Sequence, residues 1–236
     1  MARDFALVLP AAGSGSRFGP ADKLLVDLAG RSVLQRAVGL FAGHPAVGWL
    51  VVMTSRDRLE AYRDHLAGVA QGVPLLMVEG GQERYQSVMH GLRALVAVAE
   101  APRYVAVHDA ARPLTPRSVI DAAFAAARSH GAALPCLPEP ATLKRRNADN
   151  TVGQTVDRKN LLQAQTPQCF DRARLLAAYE ALAAAGKLGD LTDDAQVFER
   201  SGWPVYITAG SPLNLKLTTA EDAPLARAVL SLAQSG

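Results

Sequence analysis

Three stretches of this chain have the residue types and spacing to handle phosphates. The first is Leu9-Pro10-Ala11-Ala12-Gly13-Ser14-Gly15-Ser16-Arg17-Phe18-Gly19, followed closely by Lys23. Glycines let a backbone turn sharply and bring its N–H groups to a ligand, and Arg17 and Lys23 add fixed positive charge, so the stretch suits a polyphosphate. It is not a Walker A loop, because Phe18 and Pro20 stand five residues after Gly13 and Gly15 where a second glycine is required. Nor is it a dinucleotide fingerprint, since Phe18 occupies the third glycine position. The second stretch is Gly80-Gly81-Gln82-Glu83-Arg84-Tyr85-Gln86-Ser87, whose glycines admit a flat group and whose Ser87 hydroxyl can donate to it. The third is His108-Asp109-Ala110-Ala111-Arg112-Pro113. An apolar strand delivers its Asp109 to the carboxyl end, a position where Mg²⁺ could take one carboxylate while phosphate and water oxygens complete its shell. Thr115-Pro116 starts the following helix better than Asp109 does, which leaves Asp109 and Arg112 without a capping task. His108 reads as structural, with no other histidine at metal-ligand spacing. Each stretch has a plainer reading as a turn or a helix start, and it is their combination that points to phosphate chemistry.

Composition narrows the field. A chain of 236 residues, 49% hydrophobic and 20% charged, can bury a substantial core. A formal net charge of +3 is too mild to imply a nucleic-acid partner. The longest basic run, Lys144-Arg145-Arg146, reads as a solvated or subunit-facing patch. Cys136 and Cys169 lie far apart and form neither a zinc motif nor a disulfide framework, as expected of reduced core residues in the cytoplasm. Arg3 ahead of an apolar run loosely resembles a signal peptide, but Asp4 and the immediate glycine loop argue against one. No apolar stretch approaches a membrane span, so no membrane partner is expected.

The elements that must position these residues alternate regularly. Phe5 to Leu9, Trp49 to Met53, Leu75 to Val78 and Tyr104 to Val107 are short, wholly apolar runs of strand length. Between them, helical spacing runs through Val33 to Phe41, from Ser55 to Leu66, through Val88 to Val96, and through Val119 to Phe124. Such alternation predicts an α/β fold, a mainly parallel sheet with helices on both faces, and ligands beyond the carboxyl ends of its strands. Ala132 to Leu137 is a further strand. The pattern then breaks: from about 138 to 160 two polar β-like segments flank the turn-rich Asn147-Ala148-Asp149-Asn150, predicting a protruding hairpin arm too polar to form a core alone. A helix from about Asp171 to Ala185, one opened by Leu191-Thr192-Asp193-Asp194, a strand Val205 to Thr208, a strand-like Asn214 to Thr218 and a helix from about Glu221 to Leu232 complete the chain. No linker or repeat divides it, so residues 1–236 read as one domain with an arm.

Taken together, Pro10-Ala11-Ala12-Gly13-x-Gly-x-Arg17 with Lys23, Gly80-Gly81-x-x-Arg84-x-x-Ser87-Val88, His108 to Pro113, Thr155-Val156-Asp157-Arg158, Thr166-Pro167-Gln168, Thr192-Asp193-Asp194 and Asn214-x-Lys216-x-Thr218 resemble the 2-C-methyl-D-erythritol 4-phosphate cytidylyltransferase family. The resemblance runs from the first strand to the last helix. It implies a Rossmann-like nucleotidyltransferase fold, a homodimer joined through the arm, and a cytoplasmic enzyme of the non-mevalonate isoprenoid route. It further implies that the acceptor's phosphate attacks the α-phosphate of CTP and expels pyrophosphate, with Mg²⁺ and cations supplying most of the catalysis.

By the same resemblance Arg17, Lys23, Arg158 and Lys216 are catalytic. Pro10, Ala11, Ala12, Gly13, Gly80, Gln82, Ser87, Asp109 and Ala110 surround CTP, with Asp109 also holding Mg²⁺. Arg112, Thr142, Thr166, Thr192 and Lys216 receive the polyol phosphate, together with Arg158 from the neighbouring subunit's arm. The chain departs from the family pattern at Asp22-Lys23-Leu24, where Pro-Lys-Gln is expected, and at Gln82, which is commonly acidic or polar. No fused cyclodiphosphate synthase domain is expected after the last helix. The rival readings are a ribitol 5-phosphate cytidylyltransferase, a catalytically silent nucleotide-binding regulator and, weakest, a dinucleotide-dependent oxidoreductase.

Overall fold

A computed structural model describes residues 3–13, 22–70 and 72–234. Arg17 and the remainder of its glycine loop lie outside the described residues. The chain runs through β1 (Phe5–Pro10), a 3-10 turn (Lys23–Leu25), a small hairpin of β2 (Asp27–Leu28) and β3 (Arg31–Ser32), α1 (Val33–Ala42) and β4 (Val47–Thr54). A second 3-10 turn (Arg56–Arg58) leads into α2 (Leu59–Leu66), followed by β5 (Leu75–Glu79), α3 (Arg84–Val96), β6 (Tyr104–Val107), α4 (Arg117–His130) and β7 (Ala132–Pro138). Next come β8 (Leu143–Arg146), β9 (Val152–Val156), β10 (Leu162–Ala164), β11 (Gln168–Asp171), α5 (Arg172–Ala184), α6 (Ala195–Arg200), β12 (Tyr206–Ala209) and α7 (Asp222–Gln234).

Among the described residues the main sheet has eight strands in the order β10-β7-β11-β6-β1-β4-β5, with β12 paired on β7. Strands β6, β1, β4 and β5 are mutually parallel. Strand β11 runs antiparallel between β6 and β7, β10 is antiparallel to β7, and β12 is parallel to it. The two-residue period of a strand divides the core into two layers. Phe5, Leu7 and Leu9 of β1 point into one cluster with Leu34, Val38 and Phe41 of α1, Tyr62 of α2 and Phe124 of α4. Ala6 and Val8 point the other way, against Val88 and Leu92 of α3, Tyr179 of α5 and Phe198 of α6. Helices therefore cover both faces, as the uninterrupted apolar strands predict.

Local signals set the boundaries. Ser32 caps α1 through a capping box with Gln35. Gly131, at φ +88°, ends α4 in the left-handed region that a side chain rarely adopts. Strands β8 and β9 form their own antiparallel pair apart from the main sheet, and residues 144–155 are exposed along it. The predicted hairpin arm is thus present. One boundary moves, since the helix expected from Ser55 begins as a 3-10 turn; Leu191 to Asp194 opens α6 as expected, with Asp194 at its N-cap position.

One element differs from expectation. Asn214 to Thr218 carries no strand pairing among the described residues. Leu217 is buried and Lys216 exposed, as alternation requires, but the Leu217 N–H donates to the Ala111 carbonyl at 2.8 Å, in the loop after β6, so the segment follows the site and not a strand.

The packing of α4 rests on Phe124, whose ring lies parallel to Phe5 with centroids 3.8 Å apart, both rings buried. Phe124→Ala is expected to lower unfolding free energy by about 3–5 kcal/mol, the range for emptying a buried aromatic site. Urea denaturation monitored by circular dichroism would check this, and a loss below about 1 kcal/mol would show that the layer repacks around the gap.

Candidate active site

The loops that follow β1, β5 and β6 meet at the carboxyl edge of the parallel sheet. The Ala11 N–H donates to the Met53 carbonyl at 2.7 Å, and the Gly80 N–H donates to the Thr54 carbonyl at 2.8 Å. The His108 N–H donates to the Val8 carbonyl at 3.0 Å. These bonds extend the ladder past the strand ends and bring the loops together. At Gly80 a Cβ would stand 2.7 Å from Ala12 Cβ and 2.9 Å from Ser87 Oγ, so only glycine allows this approach. The Ser87 hydroxyl accepts from the Gly81 N–H at 3.0 Å and reaches the Glu83 carbonyl at 3.4 Å.

Two adjoining cavities open here. The larger, about 440 Å³, is lined by Pro10, Ala12, Gly13, Lys23, Gln82, Ser87 and Ala110, with Arg84, Asp109 and Lys216. The smaller, about 200 Å³, is lined by Arg112, Thr166, Thr192 and Asp193, again with Arg84, Asp109 and Lys216. Ala11 is buried beneath the larger cleft. Thr142 and Arg158 are exposed on and beside the arm and line neither cavity. A more voluminous groove of about 910 Å³ lies along α5, walled by Ala177, Ala181, Lys187 and Trp203. It contains none of the residues predicted for phosphate chemistry, so volume does not locate the site.

The wall shared by the two cavities is an ionic cluster. One carboxylate oxygen of Asp109 meets Lys216 Nζ at 2.9 Å and Arg112 Nε at 3.4 Å, and the other lies 3.7 Å from Arg84 Nη2. Burial pushes the Asp109 carboxyl upward, but the Lys216 ammonium and the Arg84 and Arg112 guanidinium groups outweigh it and hold the carboxyl well below the usual carboxylate range. Arg84 also pairs with the buried Asp194 at 2.7 Å, and Asp194 accepts from the Tyr179 hydroxyl at 2.5 Å. Burial opposes the charge on Arg84, and Asp194 with Asp109 more than compensates.

Beneath this cluster lies a neutral network. His108 is fully buried, with Nε2 3.0 Å from the Arg112 carbonyl and Nδ1 2.9 Å from the Thr166 hydroxyl. A carbonyl accepts only, so Nε2 carries the proton and Nδ1 accepts from Thr166. The Thr166 oxygen in turn accepts from the Asp109 N–H at 3.1 Å, so its hydroxyl proton is committed inward and it offers a ligand only a lone pair. Burial pushes His108 down to about 4.

Sequence reasoning quoted Arg84 in a motif but gave it no role, and it treated Asp194 as a helix opener. The structure makes Arg84 a member of both cavity walls. The signal was a cation three residues beyond the glycine pair that follows β5, at the first position of α3. Among the described residues no cluster of three or more His, Cys, Asp or Glu side chains could hold a metal ion. Asp109 lines both cavities, whereas Glu83 lines only the larger and Asp193 only the smaller. No helix among the described residues is long and apolar enough to cross a membrane.

Comparison with known proteins shows the family. The family model for 2-C-methyl-D-erythritol 4-phosphate cytidylyltransferase matches residues 5–232. An enzyme of that name from Rhodopirellula baltica is 37% identical over 243 residues, covering 99% of this chain and 98% of its own. A bifunctional enzyme IspD/IspF from Rhodospirillum rubrum is 42% identical over 226 residues; the match takes in 94% of this chain and 56% of that longer protein. Among solved structures, 4-diphosphocytidyl-2C-methyl-D-erythritol synthase from Anaerococcus prevotii is 26% identical, with a TM-score of 0.81 over 96% of this chain and 98% of that one.

The depressed His108 sets an acid limit on the fold. Because the folded state holds this imidazole neutral, the unfolded chain binds the extra proton between about pH 6.5 and about pH 4, and stability falls as pH falls through that window. The expected loss is about 3 kcal/mol by linkage. Asp109 adds a further loss only below the ordinary carboxylate range, since its folded value is lowered. Urea titrations at stepped pH, without nucleotide or divalent metal, would check this. A slope in the upper window unchanged by His108→Gln would remove His108 as its source.

Proposed function

This chain belongs to the 2-C-methyl-D-erythritol 4-phosphate cytidylyltransferase family, and we propose that its two adjoining cavities hold the two substrates of that reaction on either side of Asp109. The reaction is CTP-dependent cytidylyl transfer in isoprenoid biosynthesis. The phosphate of the acceptor attacks the α-phosphorus of CTP, the bond to the β-phosphate breaks and pyrophosphate leaves. Both reactants are anions, so repulsion and the charge developing on a five-coordinate phosphorus are the obstacles, and fixed cations answer both.

In this reading the larger cleft takes CTP. Pro10, Ala11, Ala12, Gly13, Gly80, Gln82, Ser87 and Ala110 surround the nucleotide, and small residues suit a pyrimidine approached by backbone groups. Arg17 and Lys23 stabilise the triphosphate as it breaks. The smaller cavity takes the polyol phosphate, with Arg112, Thr166 and Thr192 on its polar groups. Lys216 holds the attacking phosphate, exchanging Asp109 for phosphate oxygens. One observation carries this division: Arg84, Asp109 and Lys216 line both cavities, so bound phosphates would meet at a shared ionic wall.

The donor set fits Mg²⁺. One or two carboxylates facing a phosphate site usually hold this ion, with substrate and water oxygens as its other ligands, and Asp109 is the carboxylate that lines both cavities. When bound, the ion supplies further charge neutralisation at the phosphates. Arg158 and Thr142 we assign to a neighbouring subunit's site, reached by the arm of a homodimer. The exposed apolar side chains Val152 and Leu162, together with a hairpin too polar to stand alone, support a partner surface there. We assign the enzyme to the cytoplasm, the compartment of its nucleotide substrate.

Purified protein with CTP and Mg²⁺ is expected to release pyrophosphate with 2-C-methyl-D-erythritol 4-phosphate and not with ribitol 5-phosphate. Release only with the latter would overturn the acceptor. Lys23→Ala should lower turnover by about 10²–10³-fold, as loss of a transition-state contact does, while CTP binding by calorimetry changes little. Mixing Arg158→Ala with Lys23→Ala subunits should restore part of the activity, and a verified heterodimer without recovery would place Arg158 outside the partner's site.

A further inference from the structure

The turn that carries Lys23 is short and has an unusual fastening. Asp22 caps the 3-10 turn Lys23–Leu25 with one carboxylate oxygen, which accepts from the Leu24 N–H at 3.0 Å. A cap needs one oxygen only. The other oxygen accepts from the Tyr62 hydroxyl at 2.6 Å and from Arg58, whose Nη1 lies 3.2 Å away. Tyr62 belongs to α2 and is buried at 1% exposure, and Arg58 stands immediately before that helix. Burial, then the Asp22 hydrogen bond, pushes the Tyr62 phenol well above its ordinary value, so it remains a donor.

Helix α2 is itself held. His65 Nε2 lies 2.7 Å from Ser32 Oγ, and the Gln35 side-chain amide donates to the His65 carbonyl at 3.1 Å, tying its last turn to α1. Leu24, next to Lys23, is 4% exposed and packs in the core beside α1. The backbone of Lys23 is thereby bounded by a capped turn, a buried leucine and a two-pronged link to α2. Its side chain lines the larger cleft.

We propose that Asp22 is a positioning residue for Lys23: its carboxylate fastens the turn bearing the lysine to α2 through Tyr62 and Arg58, and so fixes the reach of Lys23 into the cleft. This rests on the catalytic role proposed for Lys23. A cation displaced by about 1 Å from a reacting phosphate loses much of its effect on the transition state while still attracting the nucleotide. The clamp therefore acts on kcat and leaves KM nearly unchanged.

Tyr62→Phe tests this, because it keeps the buried ring and removes only the hydroxyl. In the intact protein we expect kcat to fall about tenfold with the KM for CTP within about twofold. In the Lys23→Ala background the same substitution should lower kcat no further. Arg58→Gln, at a partly exposed position, should give a smaller loss with the same dependence on Lys23, and serves if Tyr62→Phe proves unstable. Asp22→Asn, whose amide oxygen can still cap the turn, should retain more activity than Asp22→Ala. An unchanged kcat for Tyr62→Phe would overturn the clamp. So would an equal fold-loss with and without Lys23, which would make the network a general support of the fold. Lys23→Ala alone separates the layers: full activity there would remove the role of the lysine itself, whatever Tyr62 does.

Discussion

Asp109 is a mostly buried carboxylate at the end of a central parallel strand, and the site is built to compensate it. A charge taken out of water is costly unless paired and hydrogen-bonded, and one partner is rarely enough. Three cations meet it: Lys216 at 2.9 Å, Arg112 at 3.4 Å and Arg84 at 3.7 Å. Only Arg112 is local. Arg84 comes from the first position of α3, and Lys216 from the segment after β12, so satisfying one carboxylate draws together the loop after β6, the first half of the parallel sheet and the C-terminal segment.

Arg112 is itself held by neutral groups with few spare valences. Asn214 shows the economy of this layer. Its side-chain amide donates to the Thr166 carbonyl at 2.8 Å and to Gln165 at 3.2 Å, its side-chain oxygen accepts from Thr115 at 2.8 Å, and its backbone carbonyl accepts from Arg112 at 2.7 Å. A polar network in which every member is satisfied is rigid and specific. It also accounts for why Asn214 to Thr218 alternates like a strand without pairing as one: its polar groups bond to side chains and to the loop at Ala111.

Much of this fold was legible in the sequence because apolar runs of strand length leave few alternatives once glycine and proline mark their ends. The two core layers follow from period-two alternation along β1, and the arm from polar β segments around Asn147 to Asn150. Asp109 could be singled out because a better helix start lay beyond it. The neighbours were not legible. Whether Arg84 is solvated or meets Asp194 and Asp109 depends on how α3 and α6 pack, which spacing along the chain cannot express. Asp194 does stand at the start of α6, but its carboxylate serves Arg84 and Tyr179 instead of capping, and caps and buried counter-ions use the same side chain in the same kind of segment. The second oxygen of Asp22 was equally silent, since its partners lie on and just before a helix far along the chain.

The cations around Asp109 differ in freedom, and that difference bears on chemistry. Arg84 is held by the fully buried Asp194, which accepts from Tyr179 while its own N–H donates to Gln168 at 3.0 Å. Arg112 is pinned by the Asn214 carbonyl. Lys216 keeps 44% of its side chain exposed, on an unpaired segment whose buried neighbours Asn214 and Leu217 fix the backbone on both sides. Fixed groups pre-organise a field at no cost in reorganisation when charge shifts. A tethered flexible ammonium can leave a carboxylate for a phosphate without disturbing the frame around it. A wall that combines both kinds can stay neutral enough to fold before ligands arrive and still present positive charge once phosphates compete for Lys216.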